Sequence, residues 1–160
     1  MHELTHIRKD GTITMVDVGN KPKTMRTALA EGFITLSQTT FDLLKNQALP
    51  KGDALACAKI AGILAAKQTP HLIPLCHPLH LTFIDIRPSL IPTDPPKIRI
   101  ESEVRSLGET GVEMEAIVAV SIALTTIYDM CKAVQRDMVI GGIRLLEKTG
   151  GMRGDYKAEG

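Results

Sequence analysis

Aromatic side chains are nearly missing from this 160-residue chain, which has three Phe, two Tyr and no Trp. That scarcity argues against single-stranded nucleic-acid binding, which stacks bases on aromatic rings. Net charge is equally slight, a formal +1, so there is no global electrostatic footprint for DNA or RNA. The cysteines Cys57, Cys76 and Cys131 are odd in number and widely spaced, with no CxxC pair. Reduced thiols in a cytosolic protein are the natural inference. There is no Walker or GxGxxG loop, which excludes a standard nucleotide-binding fold. The longest uncharged apolar stretch, AIVAVSIALTTIY, is too short for a membrane span and is followed by Asp129. The polar start MHELTHIRKDG does not resemble a signal peptide. A cytoplasmic protein with neither a membrane nor a nucleic-acid partner is expected.

What is present is an ordinary globular composition, 44% hydrophobic and 23% charged, in a chain long enough for one real core. A single domain over residues 1–160 is expected, with 1–24 and 149–160 mobile. TALAEGFITL reads as a first strand ending at Leu36. Ser37 is placed to cap a short helix, SQTTFDLLKN, and Asp53 to cap a second, ALACAKIAGILAAK. LTFIDIRP fits a strand, SLIPTDPP a proline-rich loop, and KIRIESEVRS alternates cleanly as another strand. A long helix over about residues 112–135 follows, then the strand MVIGGIRLLEK and a Gly-rich tail. The order β-α-β-β-α-β predicts an α+β, ferredoxin-like fold, an antiparallel sheet with helices on one face. From Ala116 to Ile127 the long helix is apolar or small on nearly every face. One sheet covers one side, so subunits are expected to cover the other.

PLCHPLH, residues 74–80, raises the first question of chemistry. Pro78 pushes His77 into an extended conformation and Pro74 fixes its own φ, so His77 sits on a stiff segment. Metal binding is disfavoured, because adjacent Cys and His point apart and no CxxC, HxxxH or HExxH spacing occurs. Cys76 reads as a packing residue or pocket wall, while His77 is open between a structural and a working histidine. At the end of the long helix, Asp129 and Lys132 share a face. Burial there would raise the Asp pKa and lower the Lys pKa, while their attraction opposes both. A structural ion pair and a catalytic pair both stay open.

Glu113 and Glu115 fall in the first turn of the same helix, where acidic residues favour the macrodipole in any case. Glu115 and Asp129 are fourteen residues apart, about 21 Å at helical rise. Two antiparallel copies at a two-fold axis would bring Glu115 of one chain toward Asp129 of another. The cations complete the inventory. Lys21, Lys23 and Arg26 cluster in GNKPKTMR, Lys51 precedes a helix N-terminus, and Lys148 and Arg153 flank a Gly-rich stretch. Mobile cationic segments in a neutral chain point to closure over an anionic ligand such as a phosphate ester.

LIPLCHPL, TGVEMEA, TIYDMCKAV and RLLEKTGG, in this order, closely resemble the MoaC family of cyclic pyranopterin monophosphate synthases in molybdenum cofactor biosynthesis. MVDV and KGDALACAKIAGI extend the resemblance over nearly the whole chain. The resemblance implies a ferredoxin-like fold and a homohexamer, a trimer of dimers, with the site at a subunit interface. It implies the substrate 3′,8-cyclo-7,8-dihydro-GTP, converted to cyclic pyranopterin monophosphate with release of pyrophosphate and without net redox. No cofactor is required and no metal site is expected, although Mg²⁺ carried on the substrate's phosphates is compatible. Asp129 is the implied active-site carboxylate and Lys132 its acid/base partner. Lys51 and His77 would act in proton transfer and positioning. Leu75, Cys76, His77, Glu113, Met114 and Glu115 would line the substrate site. Lys21, Arg26 and Lys148 would hold phosphates from mobile segments. Lys23 lies where the family varies, and His80 is given no role. Two other readings carry different expectations: an effector-binding module would need no such acid/base set, and a metal-dependent phosphohydrolase would purify with metal.

Overall fold

The computed structural model describes residues 6–152 and 154–159. The first strand, β1, spans Thr24–Thr35 and buries Arg26, Ala28, Ala30, Gly32 and Ile34 on one face. Ser37 then caps α1 (Gln38–Lys45), its hydroxyl accepting from the Thr40 amide at 3.3 Å. Asp53 caps α2 (Ala54–Leu72), with Oδ1 accepting from the amides of Leu55 and Ala56 at 3.0 Å each. Both caps satisfy N–H groups that a helix start leaves without intrahelical partners. After α2 come β2 (Leu81–Ile91), β3 (Lys97–Gly108), α3 (Glu113–Cys131), β4 (Val139–Thr149) and the two-residue β5 (Tyr156–Lys157).

Sheet order is β2-β3-β1-β4-β5, with every neighbouring pair antiparallel. The four main strands and the helices make the expected ferredoxin-like arrangement. Three details differ from the sequence expectation. β2 continues through Pro88 to Ile91, because an edge strand can hold proline without losing a ladder bond. α2 runs on to Leu72 with Pro70 in its last turn, past the expected end at Lys67. Part of the tail is strand rather than loose chain, since Tyr156 and Lys157 pair with Lys148 and Glu147.

Small residues set how closely the layers approach. Ala54, Ala58, Gly62, Ala65, Ala66 and Thr69 form the buried stripe of α2. A Cβ on Gly62 would lie 3.1 Å from the Ala119 carbonyl oxygen on α3. A Cβ on Gly32 would come within 2.8 Å of both Val120 and Leu124, so β1 and α3 are in near contact. Ala116, Ala119, Val120, Ala123, Leu124 and Ile127 of α3 are fully buried. The all-round apolar character of α3 therefore has a partial answer within one chain: the sheet covers one side and α2 much of another. Exposed apolar residues remain on these helices, notably Ile60 and Leu64 on α2 and Ile122 on α3. α3 is long and apolar enough to cross a membrane by composition alone, yet 56% of that window is buried in the fold.

The opposite sheet face carries charge. Glu31 accepts from Arg99 Nε at 2.7 Å and Arg144 Nε at 2.9 Å. Burial works to raise the Glu31 pKa, but these two guanidinium groups more than offset it and the net shift is downward. Arg87 bridges Asp85, Glu101 and Glu103 on the same and neighbouring strands.

Candidate active site

Where the start of α3 meets the ends of β1, β3 and β4, the chain forms a half-open cavity of about 730 Å³. Its size suits a single small-molecule ligand. One wall is the Leu75–Cys76–His77 stretch, and the floor is Glu113, Met114 and Glu115. Lys21, Arg26 and Lys148 line it as cations. Val112 precedes α3 and no side-chain hydrogen bond caps that helix. A helix N-terminus without a side-chain cap leaves its partial positive charge available to the cavity.

Glu115 is the most perturbed group here. It is 3% exposed, and burial pushes its carboxyl up to about 7, against a backbone hydrogen bond that lowers it and with a lesser push from the neighbouring Glu113 charge. Such a group moves between acid and base forms near neutral pH. Glu113 is instead ion-paired, accepting from Lys148 Nζ at 2.8 Å. Burial, followed by the charges of Glu115 and Glu113, raises the Cys76 thiol above its ordinary range. A thiol so held is a poor nucleophile, in keeping with Cys76 as a shaping residue. The ring tip of His77 is fixed, with Nε2 2.7 Å from the Val16 carbonyl oxygen.

A second cluster lies at the other end of α3. Asp129 Oδ1 is 2.7 Å from Lys132 Nζ and Oδ2 is 2.8 Å from Lys51 Nζ, which also donates to the Asp129 carbonyl at 3.0 Å. The hydrogen bond from Lys132, then that from Lys51, takes the Asp129 pKa down to about 2. The same bond raises Lys132. Asp129 and Lys132 are about half exposed. Among the described residues no three of His, Cys, Asp and Glu converge as metal ligands.

Residues 15–151, a span holding both clusters, match the MoaC family. A cyclic pyranopterin monophosphate synthase of Nitratidesulfovibrio vulgaris is 55% identical over 97% of this chain and 96% of its own length. A protein of the same name from Desulfovibrio desulfuricans is 56% identical over 96% of this chain and 94% of its own length. Another, from Roseiflexus sp., is 52% identical over 98% of each. The chain belongs to the MoaC family. It is an enzyme of the type those relatives are named for.

For this MoaC-family chain the structure brings together nine of the expected site residues: Leu75, Cys76, His77, Glu113, Met114, Glu115, Lys21, Arg26 and Lys148. It leaves Lys51, Asp129 and Lys132 elsewhere, about 21 Å along α3 by helical rise. Four expectations need correction. Asp129 and Lys132 are not buried within the chain, because they lie on the outward side of a helix end whose Ile127 and Cys131 stay buried, so their ion pair rather than desolvation sets their protonation. Arg26 is not on a flexible segment. It is buried on the inner face of β1, with Nε donating to the Gly108 carbonyl at 3.2 Å and Nη2 to that of Glu109 at 3.1 Å. Lys148 likewise belongs to β4. The α2 N-terminus beside Lys51 is no open anion site, because the Asp53 carboxylate already occupies its amides. Arg153 lies outside the described residues.

Sequence reasoning missed several residues that line the cavity, among them Val16, Val18, Glu109 and Thr110. Val16 and Val18 both sit in MVDV, which carried family resemblance but no chemistry of its own. Glu109 and Thr110 sit in the LGETG turn, where Gly108 and Gly111 signalled a turn and nothing more.

Proposed function

We propose that the chain converts 3′,8-cyclo-7,8-dihydro-GTP to cyclic pyranopterin monophosphate with release of pyrophosphate, in the cytoplasm, as a lyase of molybdenum cofactor biosynthesis. The observation that carries this reading is a cavity in which one near-neutral buried acid, Glu115, faces three cations. Cyclised GTP needs the cations for its phosphates. Its rearrangement needs proton donors and acceptors, because an oxygen of the substrate's own skeleton must lose its proton to displace pyrophosphate from the α-phosphorus. Lys148 and Lys21 bind phosphate oxygens, and Arg26 supports them with the Nη1 group that faces Gly151. His77 and Glu115 serve proton transfer on this side. Lys23, 3.7 Å from Glu109, holds the turn rather than the ligand.

Asp129, Lys132 and Lys51 complete the acid/base set from a second subunit. Copies packed antiparallel about a two-fold axis place the Asp129 cluster of one chain at the cavity of the other, within a homohexamer built from three such dimers. The exposed Ile60 and Leu64 stripe of α2 supplies apolar surface for further subunit contact. The reaction so read takes no cofactor, and Mg²⁺ riding on the substrate's phosphates fits it.

The test is turnover of freshly made cyclised GTP, read by mass spectrometry, with Lys132→Ala and Asp129→Ala alongside. Cyclic phosphate and pyrophosphate from wild type alone support the reading. Tight binding without conversion by folded wild type refutes the reaction.

A further inference from the structure

His77 is anchored twice. Its backbone follows the Cys76 amide, which donates to the Ile73 carbonyl at 3.1 Å, and precedes Pro78. Its ring tip, Nε2, lies 2.7 Å from the carbonyl oxygen of Val16, sixty-one positions earlier in the chain. A carbonyl oxygen only accepts, so at this distance Nε2 must carry the hydrogen. Nδ1 has no hydrogen-bond partner among the described residues.

The segment bearing Val16 is itself braced. The Thr14 amide donates to the His6 carbonyl at 2.9 Å, the Gly19 amide to Asp17 Oδ1 at 2.9 Å, and the Lys21 amide to the Val18 carbonyl at 3.0 Å. The same stretch turns Val16, Val18 and Lys21 toward the cavity. We propose that the Val16 backbone carbonyl is a positioning group that locks neutral His77 as its Nε2–H tautomer, leaving Nδ1 as the nitrogen that exchanges protons with the ligand. Val16 acts through the imidazole and does not touch the reacting atoms. A carbonyl acceptor fixes which ring nitrogen carries the hydrogen. That Nδ1 does chemistry rests on the reaction proposed above; the tautomer lock does not.

The test uses the whole chain, assembled by ligating a synthetic thioester of residues 1–56 to a ¹⁵N-histidine-labelled fragment beginning at the exposed Cys57. Only His71, His77 and His80 are then labelled, and His77→Gln assigns the resonance. Replacing Asp17 by its α-hydroxy acid turns the Val16 amide carbonyl into an ester carbonyl, a weaker acceptor. The Asp17 amide donates no hydrogen bond among the described residues, so the acceptor strength is what changes. The ring nitrogens of His77 are read by long-range proton–nitrogen correlation on the neutral imidazole, with all-amide ligated protein as control.

We expect the amide protein to show Nε2–H alone. The ester protein should show a mixture of tautomers, with kcat lowered about three- to tenfold, the scale of one net hydrogen bond, and KM changed less than about twofold, because the lock acts on proton transfer rather than ligand affinity. An Nδ1–H or evenly mixed wild type overturns the proposal, whether or not the ester protein folds. So does an ester protein with unaltered tautomer and kcat. Val16→Ala, which keeps the carbonyl, should leave the tautomer as it is. The ratio is measured without substrate, so a failed turnover assay and a failed lock are told apart.

Discussion

Replacing Glu115 by Gln should make the protein more stable above neutral pH. Glu115 is 3% exposed and its carboxyl is pushed from 4.5 up to about 7, chiefly by burial. In the unfolded chain it ionises at the lower value. The folded-state pKa is raised, so its contribution is fully present below about pH 4.5 and is lost as pH rises through about 7. Every tenfold weakening of the acid corresponds to about 1.4 kcal/mol, so the loss approaches about 3 kcal/mol. Gln keeps the shape but has no charge to desolvate. Urea denaturation at fixed protein concentration from pH 5 to 9 should therefore show wild type losing stability across that window relative to Glu115→Gln. Near pH 8 the variant should melt higher by up to roughly 6–12 °C, the conversion for a domain of this size. Glu113, the charge that bears on Glu115, is ion-paired to Lys148, and every other ionisable group is common to both proteins, so the difference between the two profiles belongs to Glu115. Parallel profiles, or a variant less stable at pH 8, would refute the reasoning.

Asp129→Asn should lower turnover by about 10²–10⁴-fold, the range for losing an acid/base partner; steady-state kinetics checks it. Arg26→Lys, which loses the guanidinium fork that reaches Gly108 through Nε and Glu109 through Nη2, should cost about 1–3 kcal/mol by denaturant titration and raise KM. Gly32→Ala forces a methyl group within 2.8 Å of Val120 and Leu124, and a loss of about 1–3 kcal/mol, read by the same titration, is expected for such overpacking. Refolding equal amounts of inactive Glu115→Gln and Asp129→Ala chains together should restore up to about one quarter of wild-type activity, the share of two-fold sites with both halves intact; no recovery in mixed oligomers would exclude a site shared between chains.

Local signals carried most of the fold. Ser37 and Asp53 announce two helix starts by side-chain chemistry alone, and alternation along KIRIESEVRS fixes which face of β3 is inside. What could not be read locally depended on neighbours distant in sequence. Pro88 looks like a strand breaker until the strand is known to lie at an edge. Tyr156–Lys157 is too short for any periodic signal and exists as strand only because β4 is beside it. For the site, Leu75 and Met114 came only from family motifs, whereas Cys76, His77, Glu113, Glu115, Lys21, Arg26 and Lys148 stood out by residue type and placement, and the family motifs gave them roles. Their protonation did not follow from either. Glu115 reads as an ordinary acidic residue in a first helical turn, and only the surrounding walls make it a weak acid. Asp129 and Lys132 read as buried from the apolar helix they end, yet that end keeps Ile127 and Cys131 inside and turns Asp129 and Lys132 outward.

The β2 margin of the sheet is a broken template for lateral growth. Pro88 has no amide hydrogen to offer an added strand there, and an interrupted edge gives a stray chain little to zip onto. The opposite margin is covered by β5 only at Glu147 and Lys148, so among the described residues the rest of β4 presents an open edge, the place where an added strand would pair.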